Sequence, residues 1–225
     1  MNDKSGKTLR IIAIVFMGLT AAMNILGGIG TVCAAFLTKQ FPPMWALLDY
    51  QWLYQSLMIV TIIVGIAGVW ATIVLIRGRA TAYRNVLIVL VIGSVLGAIQ
   101  YYASMTLRGS ATPANMKFFI NAFTLLFFLL LKLPGLRDRV DFTKPGDEET
   151  QATTSGMTAV VTGLFVLTTS IWAGPSHSIV GENWVLVLQG QLVATGILLT
   201  IVGVRSLIRR RKLTHRDPVP ATKDG

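Results

Sequence analysis

Charge is scarce in this chain. Only 13% of its 225 residues are Asp, Glu, Lys or Arg, while 53% are hydrophobic; a soluble domain carries about 25% charge. A globule of this size has too few polar side chains to coat itself in water. The composition therefore argues against an ordinary soluble fold and for lipid as the solvent. Cysteine is reduced to Cys33, which excludes an internal disulfide and the C-x-x-C dithiol of membrane thiol oxidoreductases. A buried structural thiol is expected there. Histidine is reduced to His177 and His215, one in a loop and one in the tail. Bis-histidine haem ligation needs two ligands facing into a bundle, and a serine nucleophile needs a base beside it. Neither can be assembled from these positions, and no cofactor is expected.

Six apolar runs cover residues 11–37, 53–76, 86–105, 118–133, 157–173 and 184–204. Each has about 16–27 residues, and about 20 helical residues cross a 30 Å hydrocarbon core. The alternation of a barrel wall is missing. The first run follows Lys4, Lys7 and Arg10, so a signal peptide must be weighed, but a signal core has about 7–15 apolar residues. Gly30-Thr31-Val32 before Cys33 is also a poor lipoprotein cleavage context. The run is read as a spanning helix. Between the helix ends so placed there is no Asp, Glu, His, Lys or Arg. Lys117, Lys132 and Arg205 fall at helix termini, from which they snorkel to headgroups. This placement excludes a voltage-sensor helix, a retinal lysine and an intramembrane aspartyl protease, and leaves a proton-coupled carrier no mid-depth group.

Orientation follows from the basic residues. With both termini, the 77–85 loop and the 134–156 loop on one side, that side holds 17 of the 20 Lys and Arg; the other holds Lys39, Arg108 and Lys117. This is the positive-inside pattern of an even number of crossings. The expected fold is an all-α, polytopic transmembrane bundle of about six helices, N-in and C-in. Residues 1–136 form a four-helix portion, 137–156 an exposed, mobile cytoplasmic loop, 157–208 a two-helix portion, and 209–225 a basic, disordered tail. Without eukaryotic targeting signals, the expected location is a bacterial cytoplasmic membrane.

The net charge of +10 meets anionic lipid headgroups, through Arg205, Arg209, Arg210, Arg211 and Lys212, rather than nucleic acid. Prolines 42 and 43 with Trp45, Tyr50 and Trp52 suit a surface turn or short helix at the headgroup level. Neutral polar residues remain inside the runs: Asn24, Gln55, Gln100, Tyr101, Asn121, Gln189 and Gln191. They either hydrogen-bond between helices or line a cavity opening outward. Gly27, Gly30, Gly65, Gly68, Gly93 and Gly97 mark close helix contacts, the last two as a GxxxG pair. Asp49, His177 and Glu182 are the only acids and the only histidine on the outer side, and solvated loop residues are their default reading. Three functions stay open: an accessory or scaffold subunit among other membrane subunits, a transporter or channel for a neutral or lipid-like solute, and an interfacial enzyme.

Overall fold

Backbone in lipid must satisfy its own hydrogen bonds, and the apolar runs do so as helices. The computed structural model describes residues 4–174, 178–179 and 182–214. Helix α1 (Lys4–Gly30) breaks at Thr31 and resumes as α2 (Val32–Phe36). The Thr31 hydroxyl donates to the Gly27 carbonyl at 2.7 Å at this break. Two 3-10 helices, Thr38–Gln40 and Pro42–Tyr50, lead into α3 (Gln51–Ile76). Then come α4 (Ala82–Arg108), α5 (Ala114–Leu130), α6 (Glu148–Leu167) and the single turn α7 (Thr169–Trp172). Strands β1 (Ser178–Ile179) and β2 (Glu182–Asn183) pair antiparallel, and a 3-10 turn at Trp184–Leu188 opens into α8 (Gln189–Thr214).

The all-helical bundle stands as expected, but six is an undercount of its helices. The first and fifth apolar runs each break, at Thr31 and Thr168. Among the described residues four stretches are long and apolar enough to cross a membrane: Lys4–Phe36, Pro42–Ile76, Ala82–Arg108 and Val185–Arg209. Helix α5 has 17 residues, about 26 Å at 1.5 Å per residue. Helix α6 opens on Glu148-Glu149-Thr150-Gln151, which dilutes its apolar character. Ile63, Ile66, Phe119 and Leu198 are all more than half exposed. Such a girdle of large apolar side chains is what a lipid-facing surface requires.

Helix α1 is central and touches α3, α5 and α6; α4 lies against α3 and α5, and α6 against α8. Glycines set the closest approaches. A Cβ at Gly65 would come within 2.8 Å of the Ile25 backbone nitrogen, and one at Gly68 within 2.9 Å of the Ala21 Cβ. Between α6 and α8, Gly163 and Gly196 face each other's carbonyls, as do Gly156 and Gly203. These two pairs, seven residues apart on each helix, are contacts that the sequence reading did not name.

Two apolar clusters sit at opposite ends of the bundle. The larger, toward the end where the chain begins, includes Ile14, Met17, Leu75, Leu90 and Phe128. The smaller caps the far end with Ala35, Phe41, Met44, Leu47 and Tyr54. Residues 137–147 of the expected loop are mostly exposed, but the segment is anchored in the larger cluster, and 148–156 belong to α6. Val140 and Phe142 are buried, and Phe142 stacks on Phe128 at 5.8 Å. The Arg10 guanidinium donates to the carbonyls of Asp141 and Lys144, each at 2.8 Å, and to that of Leu75 at 3.2 Å. Gly78, at φ +63°, lies against the Lys144–Pro145 peptide, where any Cβ would collide. Asp147 then caps α6 by accepting from the Thr150 amide at 2.7 Å. Backbone groups of a polar segment can be buried when an arginine fork satisfies them, and residue counting misses that. Likewise α8 runs helically to Thr214, so residues 209–214 are not a disordered tail. Residues 215–225 lie outside the described part.

Candidate functional site

Between the two apolar clusters lies a buried polar layer. Helix α1 presents Thr20, Asn24 and Gly27 at intervals of three and four, one face of a helix. Helix α5 presents Lys117, Asn121 and Thr124 with the same spacing and runs the opposite way. The residues therefore meet in pairs. The Thr20 and Thr124 hydroxyls are 2.8 Å apart. The Asn24 and Asn121 side chains bond reciprocally, amide to carbonyl, at 3.1 and 2.9 Å. Asn121 also donates to the Lys117 carbonyl at 2.8 Å. Gly93 of α4 makes room for this pair, because a Cβ there would collide with the Asn121 carboxamide oxygen. Gly97 likewise admits the Phe118 backbone, 2.9 Å from where its Cβ would be.

The third pairing is the decisive one. Lys117 packs its methylenes on Gly27 and is only 2% exposed. Its ammonium donates to the Thr61 hydroxyl at 3.1 Å and to the Gln100 side-chain carbonyl. Gln100 in turn donates to the Thr31 hydroxyl at 3.0 Å. The expectation that Lys117 snorkels from a helix terminus is overturned. Thr61 stands ten residues into α3 and Gln100 eight residues before the end of α4, so the ammonium lies ~12–15 Å below the ends of these helices. Helix α5 is short and starts at depth, so a residue in its first turn is not at the surface. The exclusion of a mid-depth ionisable group falls with it. Among the described residues no carboxylate pairs with this lysine; the ion pairs there are Lys7–Asp147 and Lys144–Asp141.

Above the layer, toward the far end, is a partly enclosed cavity of about 390 Å³. This is the size of a small-molecule site. Its walls are mostly apolar, with Met23, Gly30, Cys33 and Trp172 among them. Its polar lining includes Thr31, Gln100, Ser104, Arg108 and Lys117. Ser104 is held by the Tyr54 hydroxyl at 2.9 Å. The Nε of Arg108 is buried without a hydrogen-bond partner. Two of the three cations assigned by sequence to this side thus face one apolar chamber. A second cleft of about 600 Å³ lies between α1 and α3 on one side and α6 and α8 on the other; among the described residues its lining holds no charge.

The other expected residues divide. Gln55 is a tether, donating to the Ala35 carbonyl at 3.1 Å. Tyr101 packs its ring on Phe118 at 5.8 Å and on Tyr102 at 5.4 Å. Gln189 and Gln191 are exposed on α8, Gln191 at the rim of the second cleft. Arg205 and Arg209 are exposed, while the side chains of Arg210, Arg211 and Lys212 lie outside the described part. Asp49 ends up in the Pro42–Tyr50 3-10 helix; His177 and the Glu182 side chain lie outside the described part. The sequence reading missed Thr20, Thr31, Thr61 and Thr124. Their spacing from Asn24 and Asn121 was the available signal. At the end where the chain begins, Lys7 and Thr150 hydrogen-bond Asp147 and hold its carboxyl well below the usual range, at about 2. Bonds from Thr143 lower Asp141 as well.

No protein-family model, curated protein or solved structure matches this chain.

Proposed function

We propose that this chain crosses a bacterial cytoplasmic membrane six times, with both ends inside, and that it binds a lipid-like solute in the chamber of its outer half. One observation carries the reading. The polar residues of α1, α3, α4 and α5 do not all pair off singly between helices; Thr31, Gln100 and Lys117 converge on an apolar-walled cavity. Apolar walls with a few convergent polar groups are the mark of a ligand site. The distribution of lysine and arginine supports the orientation.

Native mass spectrometry of the detergent-solubilised protein tests the binding. One amphiphile per chain is expected, and its loss in Gly30→Trp, which adds a bulky side chain to the chamber lining. Retention in Gly30→Trp at wild-type stoichiometry overturns the reading. Reporter tags at the two termini check the topology: both must report from the cytoplasm. A second reading, an accessory subunit that works by packing, draws on α8. That helix contacts α6 closely and leaves Leu198 and Val202 uncovered. Stoichiometric co-purification of another membrane protein is its test.

A further inference from the structure

We propose that the chamber recognises the anionic head of a single-chain amphiphile, a carboxylate or phosphate monoester seated between Lys117 and Arg108. The inference rests on the binding reading above and names its ligand class. Lysine has three donors, and two of those on Lys117 are taken by Thr61 and Gln100. Both acceptors are neutral. A buried cation without a counter-charge is costly, and hydrogen bonds to neutral groups offset only part of that cost. Arg108 adds a second cation to the same lining, with its Nε buried and unpartnered. An arginine fork and a lysine together match the oxygens of a carboxylate or phosphate. The rest of the lining, with Met23, Leu26, Ile29 and Trp172, suits an alkyl chain. Among the described residues neither cation has a carboxylate partner, so a neutral solute would add no counter-charge, and a cationic one would be repelled. The volume, about 390 Å³, is that of one small ligand, which favours one chain over a full diacyl lipid.

Trp172 in the wall provides an optical reporter, since it transfers energy to a conjugated-polyene fatty acid bound beside it. The full chain in a non-ionic detergent is loaded with parinaric acid, and competitors displace it. Palmitate and hexadecyl phosphate are expected to compete about tenfold better than hexadecanol, the equivalent of one charge-assisted bond. Inorganic phosphate alone should not compete, because it leaves the apolar walls unfilled; effective competition by it would assign the site to a free anion and overturn the proposal. Preference for palmitate or for the phosphate tells a fatty acid from a phosphate-headed lipid, and either supports the anion site. In Lys117→Met the advantage of the anions over hexadecanol should collapse while hexadecanol still competes. If Lys117→Met does not fold, Arg108→Gln, at the end of α4, carries the same test with a several-fold loss. Equal competition by palmitate and hexadecanol in the wild type sinks the anion site and leaves the binding reading intact. Absence of any energy transfer, with the wild type folded, sinks both.

Discussion

Replacing Asn121 by Leu tests whether the polar layer holds α1 to α5. The leucine fills a similar volume and removes three hydrogen bonds: two to Asn24 and one to the Lys117 carbonyl. Interhelical bonds in membranes average about 0.6 kcal/mol, so Asn121→Leu should cost about 2 kcal/mol. Asn24→Leu removes only the two reciprocal bonds and should cost about 1 kcal/mol. The double variant loses the same three bonds as Asn121→Leu alone. Its cost should stay near 2 kcal/mol rather than reach about 3, a non-additivity of about 1 kcal/mol. Reversible unfolding in mixed micelles with rising dodecyl sulfate, followed by tryptophan fluorescence, measures all four corners. Additivity within about 0.5 kcal/mol would mean that the two carboxamides do not bond each other, and the description of the layer would be wrong.

Three further outcomes follow from contacts in the polar layer and at the end where the chain begins. Gly93→Ala drives a methyl group into the Asn121 carboxamide and should destabilise by ~1–3 kcal/mol in the same unfolding assay; no loss would place Asn121 elsewhere. Arg10→Met removes the donors to the Asp141, Lys144 and Leu75 carbonyls. Amide exchange across 139–147 should accelerate, and Arg10→Lys should not restore protection, because an ammonium cannot replace the fork. Asp147, held down to about 2 from 3.8, contributes stability that is complete above 3.8 and lost as pH falls toward 2. The site is half exposed, so the effect is small. Asp147→Asn keeps a capping oxygen for the Thr150 amide and should flatten the change in thermal midpoint between pH 4 and 2; an unchanged slope would show that another carboxylate carries it.

The long apolar runs and their helical character were legible in the sequence, because hydropathy is a property of each residue alone. The partners of the polar residues were not. Asn24 and Asn121 lie 97 positions apart, and nothing in either run names the other. Gly93 was read as part of a GxxxG contact between helices, yet what it admits is a side chain. Lys117 was misjudged for a different reason. Its place in its own helix was read well enough, but depth is set by where that helix starts relative to its neighbours. The apolar run at 118–133 was itself the clue: at 16 residues it falls short of the core, so one end had to sit inside it. Arg10 repeats the lesson at the other end. It looked like a flanking charge, and it is 9% exposed, satisfying three carbonyls.

The same geometry bears on whether the chain is a pore or a pocket. Below the lysine the interior is closed layer by layer. Asn24–Asn121 comes first, then Thr20–Thr124, then the cluster of Met17, Ile14, Leu90 and Phe128, and finally the 139–147 segment that Arg10 holds. A charged solute passing that way would have to break paired carboxamides and then cross an apolar plug several residues deep, where desolvation opposes it at every step. Above Lys117 the chamber begins, under the smaller apolar cluster that caps the far end. A chamber whose floor is sealed in this way favours binding, or the first half of an alternating cycle, over a standing channel. The seam that would have to part in such a cycle is the α1–α5 contact. A carrier should therefore move faster when Asn24 and Asn121 are both replaced by Leu, whereas a pure binding protein should keep its affinity and move nothing in either form.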